Sequence, residues 1–159
     1  MKNFQLSDQD KKIISLLRED ARMSYKEVAK KVGVAISTVH NTIKKLQEDG
    51  TIKNFSVKLD SRKLGFDVTV LIGVQVSQGF MENVQDKLKD HPNVCQLFAV
   101  TGEHDLMIIA KFRNTQELDV FTRAFLQKIE GTQRTNTSLV LETIKERLNP
   151  TWEELFRKA

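Results

Sequence analysis

Apolar residues recur at helical spacing in three short stretches of the first fifty residues, and at strand spacing after residue 65. In "LSDQDKKIISLL", Ile13, Ile14 and Leu17 fall on one side of a predicted helix; Ser7 and Asp10 have the spacing of a capping box and Leu6 that of a hydrophobic staple. In "SYKEVAKKVG", Ser24 and Glu27 make a fuller capping box, Val28, Ala29 and Val32 supply a second buried stripe, and Gly33 ends the helix. A third helix is expected from about Ala35 to Asp49, with Gly50 in the terminating position. At ~100° per residue, Val39, Ile43 and Leu46 form a narrow apolar seam on it. Ser37, Thr38, His40, Asn41, Lys44 and Lys45 spread over the opposite arc. Three helices with so short a turn before the last predict a helix-turn-helix, the third helix held out by the other two to meet double-stranded DNA. The competing reading is a three-helix core with a merely solvated polar face. Ile52, Phe55 and Val57 alternate loosely, enough for a short strand or wing.

Beyond residue 65 the pattern predicts strand, helix, two strands, helix and strand. This is the βαββαβ, or ferredoxin-like, order, with both helices on one face of an antiparallel sheet. In "DLMIIAKF", Leu106, Ile108, Ala110 and Phe112 share one face, but Met107 and Ile109 make the other apolar too, and Leu71 adds to it from the first strand. A sheet covered on one side should be polar on the other. A second copy of the same sheet is the simplest cover, and a two-fold homodimer would also pair the DNA-reading helices. The alternative is scattered exposed apolar residues.

Composition adds a direction. Hydrophobic residues at 40% and charged residues at 29% describe a soluble globular protein able to bury a core. The longest apolar-rich run, "VTVLIGVQV", is too short to cross a bilayer as a helix, and "MKNFQLSDQD" lacks a signal peptide's apolar stretch, so no membrane partner and a cytoplasmic location are expected. The single cysteine, Cys95, is expected to be a buried thiol. Residues 1–60 hold 12 Lys and Arg against 8 Asp and Glu, whereas residues 61–159 hold 13 against 13, so the whole excess of +4 lies in the half with the three helices. That asymmetry suits a polyanion-facing half and a neutral half.

The segment "VTGEHDL" places a glycine, a histidine and acidic residues between two predicted strands, while Thr135 and Thr137 point to one face of the last strand. Backbone N–H groups near Gly102 suit a carboxylate, Asp105 an ammonium, and two hydroxyls complete a polar shell for a small zwitterion. A tight turn with a solvated Asp explains the same residues. Glu103, His104 and Asp105 alternate in direction and do not converge on one ion, and no nucleotide-cradling glycine loop or paired cysteine occurs. Catalytic residues, a metal and a cofactor are therefore not expected; the chain does not read as an enzyme.

The span from "LSDQDKKIISLL" to "LDSRKLG" resembles the N-terminal half of the Lrp/AsnC, or feast/famine, transcriptional regulators, and "VTGEHDLMIIAKF" with "RTNTSLVL" resembles their regulatory amino-acid-metabolism domain. The resemblance runs to about Lys145. It implies an α+β protein with a winged helix-turn-helix domain over 1–58, a hinge over 59–65 and a ferredoxin-like ligand-binding and oligomerisation domain over 66–159. It further implies homodimers joined through their sheets and often assembled into octamers, sequence-specific operator binding, and an amino-acid effector held by Thr101, Gly102, His104, Asp105, Thr135 and Thr137. The rival is an architectural, sequence-tolerant DNA-coating protein without an effector. Two departures from the family pattern stand out. Ala35 replaces the usual serine cap of the reading helix, at a cost of ~1 kcal/mol, and Thr42 stands where many members carry Arg. Trp152, Leu155 and Phe156 are expected to form the apolar side of a short C-terminal helix.

Overall fold

The computed structural model describes residues 6–147 and 149–151, which form two compact units. Among the described residues, the first holds 6–58 together with 147 and 149–151; the second runs from Leu59 to Glu146. The first unit ends at residue 58, as read off the sequence, but the 59–65 hinge and the last described residues group differently. Residues 59–65 fold with the second unit: Arg62–Leu64 is a 3-10 turn, Gly65 closes it at φ 82°, and Lys111 Nζ donates to Ser61 Oγ at 2.7 Å. The last described residues group with the helices instead, Arg18 Nη2 donating to the Pro150 carbonyl at 3.2 Å. The helix expected around Trp152, Leu155 and Phe156 lies outside the described residues.

The first unit is three helices: α1 (Asp8–Glu19), α2 (Tyr25–Val32) and α3 (Ile36–Glu48). Both capping boxes form, Ser7 with Asp10 and Ser24 with Glu27, each tying down backbone N–H groups that a helix start leaves unpaired. Ile13, Val28, Val39 and Ile43 are fully buried or nearly so and join the three apolar stripes in one core. The wing does not form as a strand. Ile52 turns back, its N–H donating to the Leu46 carbonyl at 2.7 Å, but no strand lies over residues 53–58, and Phe55 and Val57 stay exposed. A strand needs a neighbouring strand, and no ladder among the described residues includes residues 53–57.

The second unit is a four-stranded antiparallel sheet of β1 (Val68–Val76), β2 (Val94–Ala99), β3 (Leu106–Phe112) and β4 (Thr132–Leu139), in the spatial order β2-β3-β1-β4. Helix α4 (Met81–Lys89) follows β1, and α5 (Thr115–Asp119) follows β3. Val70, Ile72 and Val74 of β1 and Leu106, Ile108, Ala110 and Phe112 of β3 face Val84, Leu88, Phe121 and Leu126 in a closed core. The second helix is not regular throughout. After Asp119 it widens to a π turn over Val120–Phe125 and tightens to 3-10 over Leu126–Lys128. The wide turn sets Phe121 and Phe125 both against His91, with ring centroids at 4.7 and 4.6 Å.

Cys95 is exposed, contrary to expectation. It sits on edge strand β2 where the register shifts between Val94 and Gln96, so the extra residue falls out of the alternation that would have turned it inward. The open face of the sheet carries Leu71 at 39% and Phe98 at 46% exposure beside half-buried Met107 and Ile109, which is the second apolar face the alternation called for.

Candidate nucleic-acid interface and effector groove

Gly33 adopts φ 81°, the left-handed conformation that lets the chain leave α2 and enter α3 within three residues. Ala35 occupies the N-cap in extended conformation with no side-chain hydrogen bond, so α3 starts uncapped. With Val39, Ile43 and Leu46 sealed beneath it, the helix turns Ser37, His40, Asn41, Lys44 and Lys45 outward; all five are exposed and Thr38 is half-buried. The outer face is not uniformly free. His40 rests edge-on against Tyr25 of α2 at 6.0 Å, and its Nδ1 lies 3.4 Å from Asn41 Oδ1, so these two side chains hold each other. Lys44 Nζ lies 3.8 Å from Glu48, and Lys45 Nζ lies 4.0 Å from the nearly buried carboxylate of Asp10. Thr42 is buried, so an arginine at this position would reach a neighbouring helix rather than a phosphate. Sequence reasoning passed over Ile36: it is 51% exposed in the first turn of α3, an apolar contact of the kind that reads a thymine methyl. Its signal was an isoleucine directly after the cap position, outside the seam.

The six residues assigned to an effector divide into two sets. Thr101, Gly102, His104 and Asp105 lie in the β2–β3 connection, where Gly102 takes φ 117°, a conformation reserved to glycine. Asp105 is already engaged. Its Oδ2 accepts from Val76 N–H at 2.8 Å, and its own N–H donates to the Val74 carbonyl at 2.9 Å, fastening the hairpin to β1. Glu103 is exposed and its carbonyl accepts from Gln75 Nε2 at 2.8 Å. His104 lies against Gly73, whose missing side chain makes the room: a Cβ there would stand 2.3 Å from the imidazole Cδ2. The imidazole Nδ1 is buried without a hydrogen-bond partner. Glu103, His104 and Asp105 thus serve three different directions.

Thr135 and Thr137 pair with Val74 and Ile72, so they share the helix-covered face, whereas Gly73 and His104 belong to the other. One subunit therefore does not gather all six residues into one cavity. The threonines instead line a groove of about 590 Å³ with Asp119, Thr122, Arg123 and Gln127, none of which the sequence pattern singled out. Arg123 Nε donates to Asp119 Oδ1 at 2.6 Å, and Gln127 Nε2 to Thr135 Oγ1 at 3.4 Å. The π turn, a backbone form that recurs at functional sites, supplies Thr122 and Arg123 to this groove. No helix among the described residues is long and apolar enough to cross a membrane.

Comparison with known proteins agrees with both units. Residues 6–53 match the model of a winged helix-turn-helix DNA-binding domain, and residues 69–150 that of the Lrp/AsnC ligand binding domain. An HTH-type transcriptional regulator of Pyrococcus furiosus is 40% identical over 149 residues, spanning 92% of this chain and 100% of its own. The regulator FL11 of the same organism is 35% identical over 141 residues, spanning 89% and 93%. Among solved structures, Escherichia coli AsnC superposes with a TM-score of 0.85 at 27% identity, covering 91% of this chain and 97% of its own. A Neisseria meningitidis transcriptional regulator in complex with L-methionine reaches a TM-score of 0.87 at 24% identity, covering 96% and 100%.

Proposed function

The chain belongs to the Lrp/AsnC family of transcriptional regulators, which are not enzymes, and from that premise we propose that it reads operator DNA as a two-fold dimer under the control of an amino-acid effector. The observation that carries this reading is the division of α3 into a sealed seam and an exposed polar, basic face. Ser37, Thr38 and Asn41 contact base edges, His40 backs Asn41, and Lys44 and Lys45 neutralise phosphates in place of their present carboxylate neighbours. Two such helices enter successive major grooves roughly 34 Å apart on a pseudo-palindromic site. The apolar face around Leu71, Phe98, Met107 and Ile109 meets its own copy, and dimers assemble further, to octamers in the fullest form. The protein works in the cytoplasm, where its DNA is.

The effector reading starts from the two separated sets of residues. A ligand held by Thr101, Gly102, His104 and Asp105 as well as by Thr135 and Thr137 lies between copies in this reading, because within one copy the threonines take the helix-covered face of the sheet and His104 the other. Such a ligand biases assembly through its different affinity for different oligomers. The meningococcal relative solved with L-methionine supports an amino acid in this role. The test is a fluorescence titration of the protein's own promoter fragment and of random DNA at matched salt, with the Lys44→Ala/Lys45→Ala variant beside it. Two lost phosphate contacts should lower the slope of log K against log salt by about 0.9 each, on every sequence alike. Equal affinity for promoter and random DNA would favour a coating protein, and an unchanged slope would remove the lysines from the interface.

A further inference from the structure

Resting on the effector reading above, we propose that the groove between β4 and the π turn selects an effector with a carboxylate side chain, glutamate or aspartate, and that Arg123 is the selecting residue. Arg123 is the one cation in the lining of the groove, and most of its fork is unspent. Arg123 spends only Nε on Asp119, which leaves the four N–H groups of its planar fork for a carboxylate, the geometry in which guanidinium binds two oxygens at once. Thr135 Oγ1 accepts from Gln127, so its O–H is the donor that remains; Thr122 and Thr137 add hydroxyls beside it. A lysine side chain fits this arrangement poorly. The one anion it could seek, Asp119, already holds a guanidinium 2.6 Å away, and a second cation would be repelled. An aliphatic side chain would displace water from hydroxyls, an amide and a charge while returning no hydrogen bond.

The experiment is calorimetric titration of the full chain with glutamate, aspartate, glutamine, lysine, leucine and methionine at equal ionic strength. The variants Arg123→Ala and Arg123→Glu are titrated alongside. The Arg123 side chain is 77% exposed, so both variants should fold, which a circular dichroism melt checks. Glutamate or aspartate is expected to bind at least tenfold more tightly than glutamine. Arg123→Ala should lose roughly tenfold to a hundredfold of that affinity, the usual scale for a hydrogen bond to a charged group. Arg123→Glu should turn the preference toward lysine. Tightest binding of a neutral or basic amino acid, indifferent to position 123, overturns this selection while leaving an amino-acid effector in place. Silence toward all six, extended to the other fourteen, would instead remove the effector reading itself.

Discussion

Replacing Gly73 by Ala is the most direct probe of how the hairpin is seated on the sheet. The added Cβ would stand 2.3, 2.5 and 2.6 Å from Cδ2, Nε2 and Cγ of His104, against the ~3.5 Å at which carbon atoms rest in contact, so the ring must withdraw by about 1 Å. It has little freedom to do so by moving its backbone. Asp105 is bonded to Val74 and Val76 at 2.9 and 2.8 Å, and Gln75 Nε2 holds the Glu103 carbonyl at 2.8 Å, so the hairpin is clamped on both sides of the histidine. Overpacking of this kind costs about 1–3 kcal/mol. In a unit of this size each kcal/mol lowers Tm by about 4–8 °C. Differential scanning calorimetry of the full chain, following the transition of the sheet unit, gives the loss. The His104→Ala background then tests the cause: with the ring gone, Gly73→Ala should cost about 1 kcal/mol less than in the parent. If the two substitutions add without coupling, His104 does not rest over Gly73 in solution.

Three more outcomes are expected. Ala35→Ser should place an oxygen within reach of the Ser37 and Thr38 N–H groups, the latter now donating to the Ala35 carbonyl at 3.0 Å, and raise the stability of the helical unit by about 1 kcal/mol in urea unfolding; no gain would mean the turn is already satisfied. Asp105→Ala should strand the Val76 N–H and cost about 1–3 kcal/mol, with slower amide exchange lost first at Val76; unchanged protection there would contradict the clamp. Burial between Phe121 and Phe125 holds the His91 imidazole below its usual pKa. The unfolded chain therefore takes up the proton first as pH falls, so His91 contributes a loss of stability that begins near the ordinary histidine pKa of about 6.5 and levels off below the lowered one. His91→Phe should flatten that part of the stability profile, and a profile of unchanged slope would place the titration elsewhere.

The elements that were legible along the chain are those whose causes are local. Ser7 with Asp10, and Ser24 with Glu27, announce helix starts through contacts three residues apart, and Gly33 announces an end through a conformation that glycine alone takes readily. The strict alternation of β3 identified both of its faces before any partner strand was known. Where expectation and structure part, the cause is a neighbour remote in sequence. Cys95 is exposed because of a register shift against β3, and the π turn accompanies the packing of Phe121 and Phe125 on His91, some thirty residues earlier. Residues 53–57 have the alternation of a strand but join no ladder among the described residues.

The two-part layout, the course of the three helices, the order of the strands and the polar face of α3 all follow from periodicity and from residues close along the chain, whereas the limits of the units do not, since residues 59–65 fold with the sheet. Which side chains share a site depends instead on contacts between distant parts of the chain. Thr135 and Thr137 face Arg123 and Asp119, while His104 lies over Gly73 on the other side of the same sheet. That choice follows from strand register, and register is set by which distant residues pair across the ladder rather than by any residue's own preference.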